Sequence, residues 1–213
     1  MTEITEEMLN GLRSSVAEIL SPKRLRHTLA VEEMAARLCG LYCPEQTLRL
    51  RAAALLHDVT KELSVQDQVL LCNAYGIPVE KGDLLAPKTL HARTAAAQIP
   101  VDYPAFADPI VIAAVRWHTT GHAGMTLTEK LLYLADYIDA SRSFRNCVLL
   151  RRYFWGAEPE QLTAAEREAL LRETLLLSYD MTIRDLLEEG TPIAADTVEA
   201  RNELLMEAAD GRK

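Results

Sequence analysis

A chain of 213 residues, 49% hydrophobic and 25% charged, is long enough to bury a core and too apolar to be intrinsically disordered. Its formal net charge of -8 excludes a surface that is basic throughout, so nucleic acid is not expected as a partner, although a local basic pocket is allowed. No apolar run reaches the length of a membrane span, and the acidic opening Met1-Thr2-Glu3-Ile4-Thr5-Glu6-Glu7 lacks the basic-then-apolar order of a secretory leader. The expectation is therefore a cytoplasmic protein without a membrane partner.

Between Glu6 and Leu20, residues Met8, Leu12, Val16, Ile19 and Leu20 recur at helical spacing, and Ser21-Pro22 ends this helix and starts a second that runs to about Tyr42. There His27 shares a face with Val31, Met34 and Leu38, at steps of four, three and four, so the imidazole is expected to look inward. Pro44 and Glu45 open a third helix. It leads through Leu50-Arg51-Ala52-Ala53-Ala54-Leu55-Leu56, six apolar residues in seven, into His57-Asp58. An imidazole and a carboxylate delivered together from a buried helix need partners. Cys39, Cys43, Cys72 and Cys147 form no CxxC pair and are read as buried free thiols, although Cys39 and Cys43 stand four apart.

Ser64 with Asp67 outlines a cap and Gly76 a stop, which predicts a fourth helix over about 65–75; 78–87 reads as a loop. The fifth helix carries His91 and is expected to close before Pro100. Asp108-Pro109 caps the sixth, where Ile110, Ala114, Trp117 and His118 form one stripe. The loop Thr119-Thr120-Gly121-His122-Ala123-Gly124 follows, with His122 expected at an exposed edge rather than among the ligands. Thr126 with Glu129 caps a seventh helix that bears Asp136. Nothing in 143–162 is assigned. A long helix over about 163–187 and a last one capped by Asp196 with Glu199 complete the chain. No segment alternates with period two, so the fold class is all-α, divided into an N-terminal helix (1–21) packing on the domain, the domain itself (22–202), and a C-terminal helix end and tail (203–213).

Four of the five histidines thus fall on inward faces, one of them beside an aspartate. Any one alone is explained by a core histidine bonded to a carbonyl; jointly, with Asp136, they point to a metal site. Imidazole with carboxylate suits Fe, Mn, Zn or Co, and Asp58 beside His57 can lie between two ions, the usual clamp for phosphoryl chemistry. Lys61 follows Asp58 by three, Arg24 precedes His27 by three, and Arg142 follows Asp136 by six. Cations ringing a metal centre suit a phosphate-rich substrate; Lys130 and Arg116 are weaker candidates.

The order H…HD…H…H…D rests on Arg24-Leu25-Arg26-His27, His57-Asp58-Val59-Thr60-Lys61, His91, Trp117-His118-Thr119-Thr120-Gly121 and Ala135-Asp136-Tyr137-Ile138-Asp139 with Arg142. Together with the tail Pro192-Ile193…Thr197…Ala200-Arg201-Asn202, it resembles the HD-domain metal-dependent phosphohydrolases, in particular their YqeK-type branch of bacterial symmetrical diadenosine tetraphosphate hydrolases. The resemblance implies an HD-domain helical bundle around a metal centre, an iron-type binuclear cofactor with Mn, Co or Zn as alternatives, a small-molecule dinucleoside polyphosphate as partner, and ADP as product; a homodimer is left open. It implies His27, His57, Asp58 and Asp136 as metal ligands, with His91 and His118 serving a second metal or the phosphates. Catalytic roles fall on Asp58, Lys61, His91 and His118. Substrate contacts fall on Arg24, Thr60, Lys61, His91, His118, Thr119, Asp136, Arg142, Ile193 and Thr197. Two departures are visible: His122 stands where a basic residue is usual, and Ala195 where a proline is usual. The rival readings are an HD-type nucleotidase acting on mononucleotides and a helical module that senses nucleotides without turnover.

Overall fold

The computed structural model describes residues 3–210, so the first two residues of the acidic opening and the last three of the C-terminal tail lie outside the described residues. Among the described residues there are eleven α-helices, four short 3-10 turns and no strand, the all-α class expected. The helices are α1 (Glu6–Ile19), α2 (Pro22–Tyr42), α3 (Thr47–Leu56), α4 (Val65–Ala74), α5 (Lys81–Leu85), α6 (Leu90–Asp102), α7 (Pro109–Trp117), α8 (Leu127–Ile138), α9 (Arg145–Gly156), α10 (Ala164–Glu188) and α11 (Ala195–Asp210).

Most starts follow from side-chain caps that satisfy the free N–H groups of a first turn. The side chains of Thr5, Ser21, Ser64, Asp108, Thr126 and Thr163 all accept a backbone N–H of the helix they precede. The Ser21 backbone N–H and hydroxyl also donate to Glu62, at 2.8 and 2.5 Å, which ties the start of α2 to the turn that follows His57-Asp58.

α2 and α3 form the central pair, with α7 and α8 packed against them and α6 against α7. The run from Ala52 to Leu56 is wholly enclosed, its alanines small enough to let neighbouring helices approach. Glu32 of α2, buried, accepts from Nε of Arg13 on α1 at 2.8 Å and from Nε of Arg51 on α3 at 3.1 Å, so its charge is compensated and three helices are joined. α10 packs along α9 and α11, outside this nucleus.

Four elements differ from the sequence expectation. The segment read as loop over 78–87 contains α5, whose five residues are too few for periodicity to register. α6 passes through Pro100 to Asp102: the proline forfeits only the one bond to the Ala96 carbonyl, and the helix continues to the Tyr103 N–H, which donates to the Ile99 carbonyl at 2.9 Å. The unassigned stretch holds α9, which buries Cys147, Leu150 and Phe154 at steps of three and four; Phe144 at its N-cap offers no capping side chain, so its start carries no signal. α11 begins at Ala195, one residue before the expected cap, so Asp196 lies in the first turn. All four cysteines are buried free thiols, as read, and among the described residues no group able to hold a metal includes one. No helix among the described residues is long and apolar enough to cross a membrane.

Candidate metal centre

The polar core lies where helix ends converge. His57 is the C-cap of α3 and His118 that of α7, His91 is the second residue of α6, His27 lies in the second turn of α2, and Asp136 in the last turn of α8. Helix ends bring free carbonyls with them, and three of the histidines use one in the same way. Nδ1 of His57 lies 2.6 Å from the Ala54 carbonyl, Nδ1 of His91 2.8 Å from that of Lys88, and Nδ1 of His118 2.7 Å from that of Val115, each three residues earlier. With Nδ1–H donating, each Nε2 carries its lone pair toward the centre.

These Nε2 atoms gather around Asp58. Its Oδ2 is 3.3 Å from His57 Nε2 and 3.6 Å from His27 Nε2; its Oδ1 is 3.2 Å from His91 Nε2 and 3.9 Å from His118 Nε2. Asp136 Oδ1 joins the first group, 2.9 Å from His27 Nε2 and 3.7 Å from His57 Nε2. One carboxylate therefore faces two sets of ligands.

The donor set fits a metal. Among the described residues Nε2 of His57 is buried without a hydrogen-bond partner, and Nε2 of His27 faces only the carboxylates of Asp136 and Asp58. Nε2 of His91 and Nε2 of His118 lie 3.0 Å apart, with the Thr119 hydroxyl and Lys61 Nζ as the proton donors beside them. His27, His57 and Asp136 form one group whose ligand atoms lie within reach of a single ion, and His57, Asp58 and His118 form another.

Electrostatics favour the ligand form at Asp58, Asp136, His91 and His118, and the protonated form at His27 while its neighbours are the two carboxylates alone. Burial opposes the charge on Asp58, but His57 and His91 outweigh it and hold the carboxyl well below its ordinary value; Asp136 is likewise held well below, burial being outweighed by Arg142, His27 and His57. Burial lowers the affinity of His91 and His118 for a proton, strongly in His118, so both stay neutral. His27 is pushed up to about 9, because hydrogen bonds to Asp136 and Asp139 overcome its burial.

The predicted contacts divide. Arg24 Nη1 lies 2.6 Å from Asp58 Oδ2, Arg142 Nη2 2.5 Å from Asp136 Oδ1, and Lys61 Nζ 3.2 Å from both ring nitrogens of His91. Thr119 Oγ1 is 3.2 Å from His91 Nε2 and 3.1 Å from His118 Nε2. Thr60, by contrast, turns its hydroxyl inward, donating to the His91 carbonyl at 3.0 Å. Thr197 is buried and donates to the Thr120 carbonyl at 3.1 Å. Ile193 lines a cavity of about 400 Å³ with Arg93 and Arg116, and none of the six ligand-type residues borders it. His122 lies against Glu129 (3.2 Å) and Trp117, in neither ligand group.

Asp139 and Ser141 join the centre without having been predicted to. Asp139 is fully enclosed; its Oδ2 lies 3.3 Å from His27 Nδ1 and 3.3 Å from Arg142 Nε, and its Oδ1 accepts the Ser141 N–H at 2.8 Å and the Ser141 hydroxyl. A carboxylate behind a ligand imidazole fixes its orientation and tautomer. The signal was the spacing, three residues after Asp136.

The HD domain family model matches residues 24–141. The chain belongs to the HD domain family. All six ligand-type residues of this HD-domain protein, with Asp139 and Ser141, lie inside the matched segment. Among curated proteins it is 31% identical over 190 residues to a symmetrical bis(5'-nucleosyl)-tetraphosphatase of Halalkalibacterium halodurans, covering 88% of this chain and 92% of the relative. A protein of the same name from Bacillus subtilis is 26% identical, with 85% and 89% covered. Among solved structures, a predicted HD superfamily hydrolase involved in NAD metabolism from Clostridium acetobutylicum superimposes with a TM-score of 0.78 at 30% identity, covering 93% of this chain and 97% of that one.

Proposed function

We propose that this HD-domain protein is a metal-dependent hydrolase that cleaves diadenosine tetraphosphate, and related dinucleoside polyphosphates, symmetrically to two ADP. The observation that carries the reading is the two-faced Asp58, with His27, His57 and Asp136 on its Oδ2 side and His91 and His118 on its Oδ1 side, in a chain aligned over most of its length with symmetrical tetraphosphatases. That donor set suits an iron-type pair of ions, with Mn, Co or Zn as substitutes. Bound there, such ions acidify water and neutralise charge on a phosphoryl group.

The chain's own residues supply the rest. Asp58 orients the attacking water. Arg24, Lys61 and Arg142 hold one ADP-like half through its phosphates, with Thr119 beside them, so that the terminal phosphorus of that half meets the water. The bond from that phosphorus to the central bridging oxygen breaks, and the other half leaves as the second ADP. Arg24 and Arg142 pair with Asp58 and Asp136, so a polyphosphate competes with those carboxylates for the guanidiniums.

Product chromatography tests the proposal. The metal-loaded protein is given diadenosine tetraphosphate, mononucleotides and NAD, the last because the structural relative is described as involved in NAD metabolism. ADP alone from the tetraphosphate is the expected result. AMP with ATP overturns the register, inorganic phosphate from mononucleotides marks a nucleotidase, and no turnover with any of the four metals marks a sensing module.

A further inference from the structure

The basic mouth of the centre extends into a groove of about 370 Å³, of whose cations the roles above use only Arg24 and Arg142. Lys23, Arg24, Arg26, Arg142 and Phe144 line it beside His27. Four cations and no carboxylate border it, on a chain whose net charge is -8. Arg24 and Arg142 face carboxylates of the centre, but Lys23 and Arg26 are exposed and, among the described residues, make no ion pair. Unpaired cations held side by side repel one another, and a polyanion relieves that repulsion.

Phe144 is the second observation. It is 70% exposed, more than any other large hydrophobic side chain among the described residues. It also occupies the N-cap of α9, where it makes no side-chain cap bond and a Ser, Thr, Asp or Asn would satisfy a free N–H. On its other side a second groove of about 560 Å³ begins, and the two share only Arg142 and Phe144. The ring thus stands on a ridge beside the cationic strip, one side chain away from the arginine that holds Asp136.

We propose that the groove is the subsite for the leaving half of the substrate, its phosphates running along Arg26 and Lys23 and its base stacked on Phe144. This rests on the dinucleoside polyphosphate reading above. A substrate with two nucleosides carries a second base that the centre itself does not touch, and an aromatic face accepts any base because every base has a π-face. The subsite therefore selects for the presence of a second nucleoside and only weakly for its identity.

The test compares two non-hydrolysable, methylene-bridged ligands on the metal-loaded protein: a diadenosine tetraphosphate analogue and an adenosine tetraphosphate analogue, which lacks the second nucleoside. The wild type should bind the first about tenfold more tightly, the worth of one stacked base. Phe144→Ala should erase that preference while leaving the second ligand within twofold, and Phe144→Trp should restore it. Arg26→Ala should weaken both ligands alike, by roughly threefold, with a shallower salt dependence. Equal affinity of the wild type for the two ligands, or an equal loss of both in Phe144→Ala, overturns the subsite. Product analysis of the wild type judges the substrate reading separately: absence of ADP from diadenosine tetraphosphate sinks that reading, while the binding ratios still decide the groove.

Discussion

The two sides of Asp58 are built from the same ligand types and differ in charge. On the Oδ2 side, His27 and His57 face Asp136, with Asp139 behind His27 and Arg24 and Arg142 compensating the carboxylates. On the Oδ1 side, His91 and His118 share a single carboxylate oxygen, and Lys61 lies against His91. Anionic charge decides how strongly a hard or borderline cation is held, so the first side should keep its ion where the second exchanges it. On this proposal the Oδ2 side would act as a structural pin and the Oδ1 side would respond to substrate.

The largest effect should follow from removing what both sides share. Asp58→Ala deletes the carboxylate that faces all four imidazoles, and metal analysis should find less than one ion per chain with no release of ADP. Two ions retained in that variant would break the comparison outright. The next effect separates the sides: His118→Ala should lose about one ion and keep the other, whereas His57→Ala should lose the firm ion. The ion left in His118→Ala should then be held more tightly than the ion left in His57→Ala, and equal affinities would mean that the sides are not distinct.

How much of this was legible follows the kind of signal each part left. Helical periods were plain for α1 to α4, α7, α8 and α10, and Ser, Thr or Asp caps announced the starts of α2, α4, α7, α8 and α10, whereas Pro44–Gln46 forms a 3-10 turn and α3 starts only at Thr47 without a side-chain cap. α5 was too short, and α9 began on Phe144 instead of a capping residue. Four inward histidines with Asp58 and Asp136 could be read from spacing and from the resemblance, and the structure brings all six together. The i-3 carbonyl that sets each tautomer could not, because it depends on where a helix ends in space. Thr60, Ile193 and Thr197 came only from the resemblance, and the structure turns Thr60 and Thr197 onto backbone carbonyls.

Asp139 sharpens the comparison from outside the ligand set. It touches His27 and Arg142, both on the firm side, so Asp139→Ala should weaken that ion by about ten- to a hundredfold while leaving the other side unchanged. Titration of the metal-free protein with Co(II) reads both the affinity and, through the visible spectrum, the geometry; loss confined to the weaker ion would place Asp139 wrongly. On the labile side, Lys61→Ala removes one charge-assisted phosphate contact, worth about 1.5 to 3 kcal/mol, or roughly ten- to a hundredfold in kcat/KM with metal content retained. A Lys61→Ala protein that loses metal instead would make the lysine a prop for His91.

The smallest effect is expected at His122, only four positions beyond His118 and outside both sides. Gly121, with φ of +62°, turns the chain away after α7, and a β-carbon there would lie 1.9 Å from the Tyr179 hydroxyl, so the loop has little freedom to swing His122 back. The ring instead lies 4.3 Å from the Trp117 ring centre, and its Nε2 is 3.2 Å from Oε1 of Glu129. Glu129 completes the cap of α8 through its other oxygen, 2.6 Å from the Thr126 N–H. His122→Ala therefore removes one partly exposed hydrogen bond and a ring contact but leaves the cap itself, a loss of about 1 kcal/mol, or roughly 2 to 4 °C in Tm. Metal content and ADP release should match the wild type. Loss of an ion in His122→Ala equal to that in His118→Ala would place the loop inside the centre and erase the boundary that α7 draws between ligand and support.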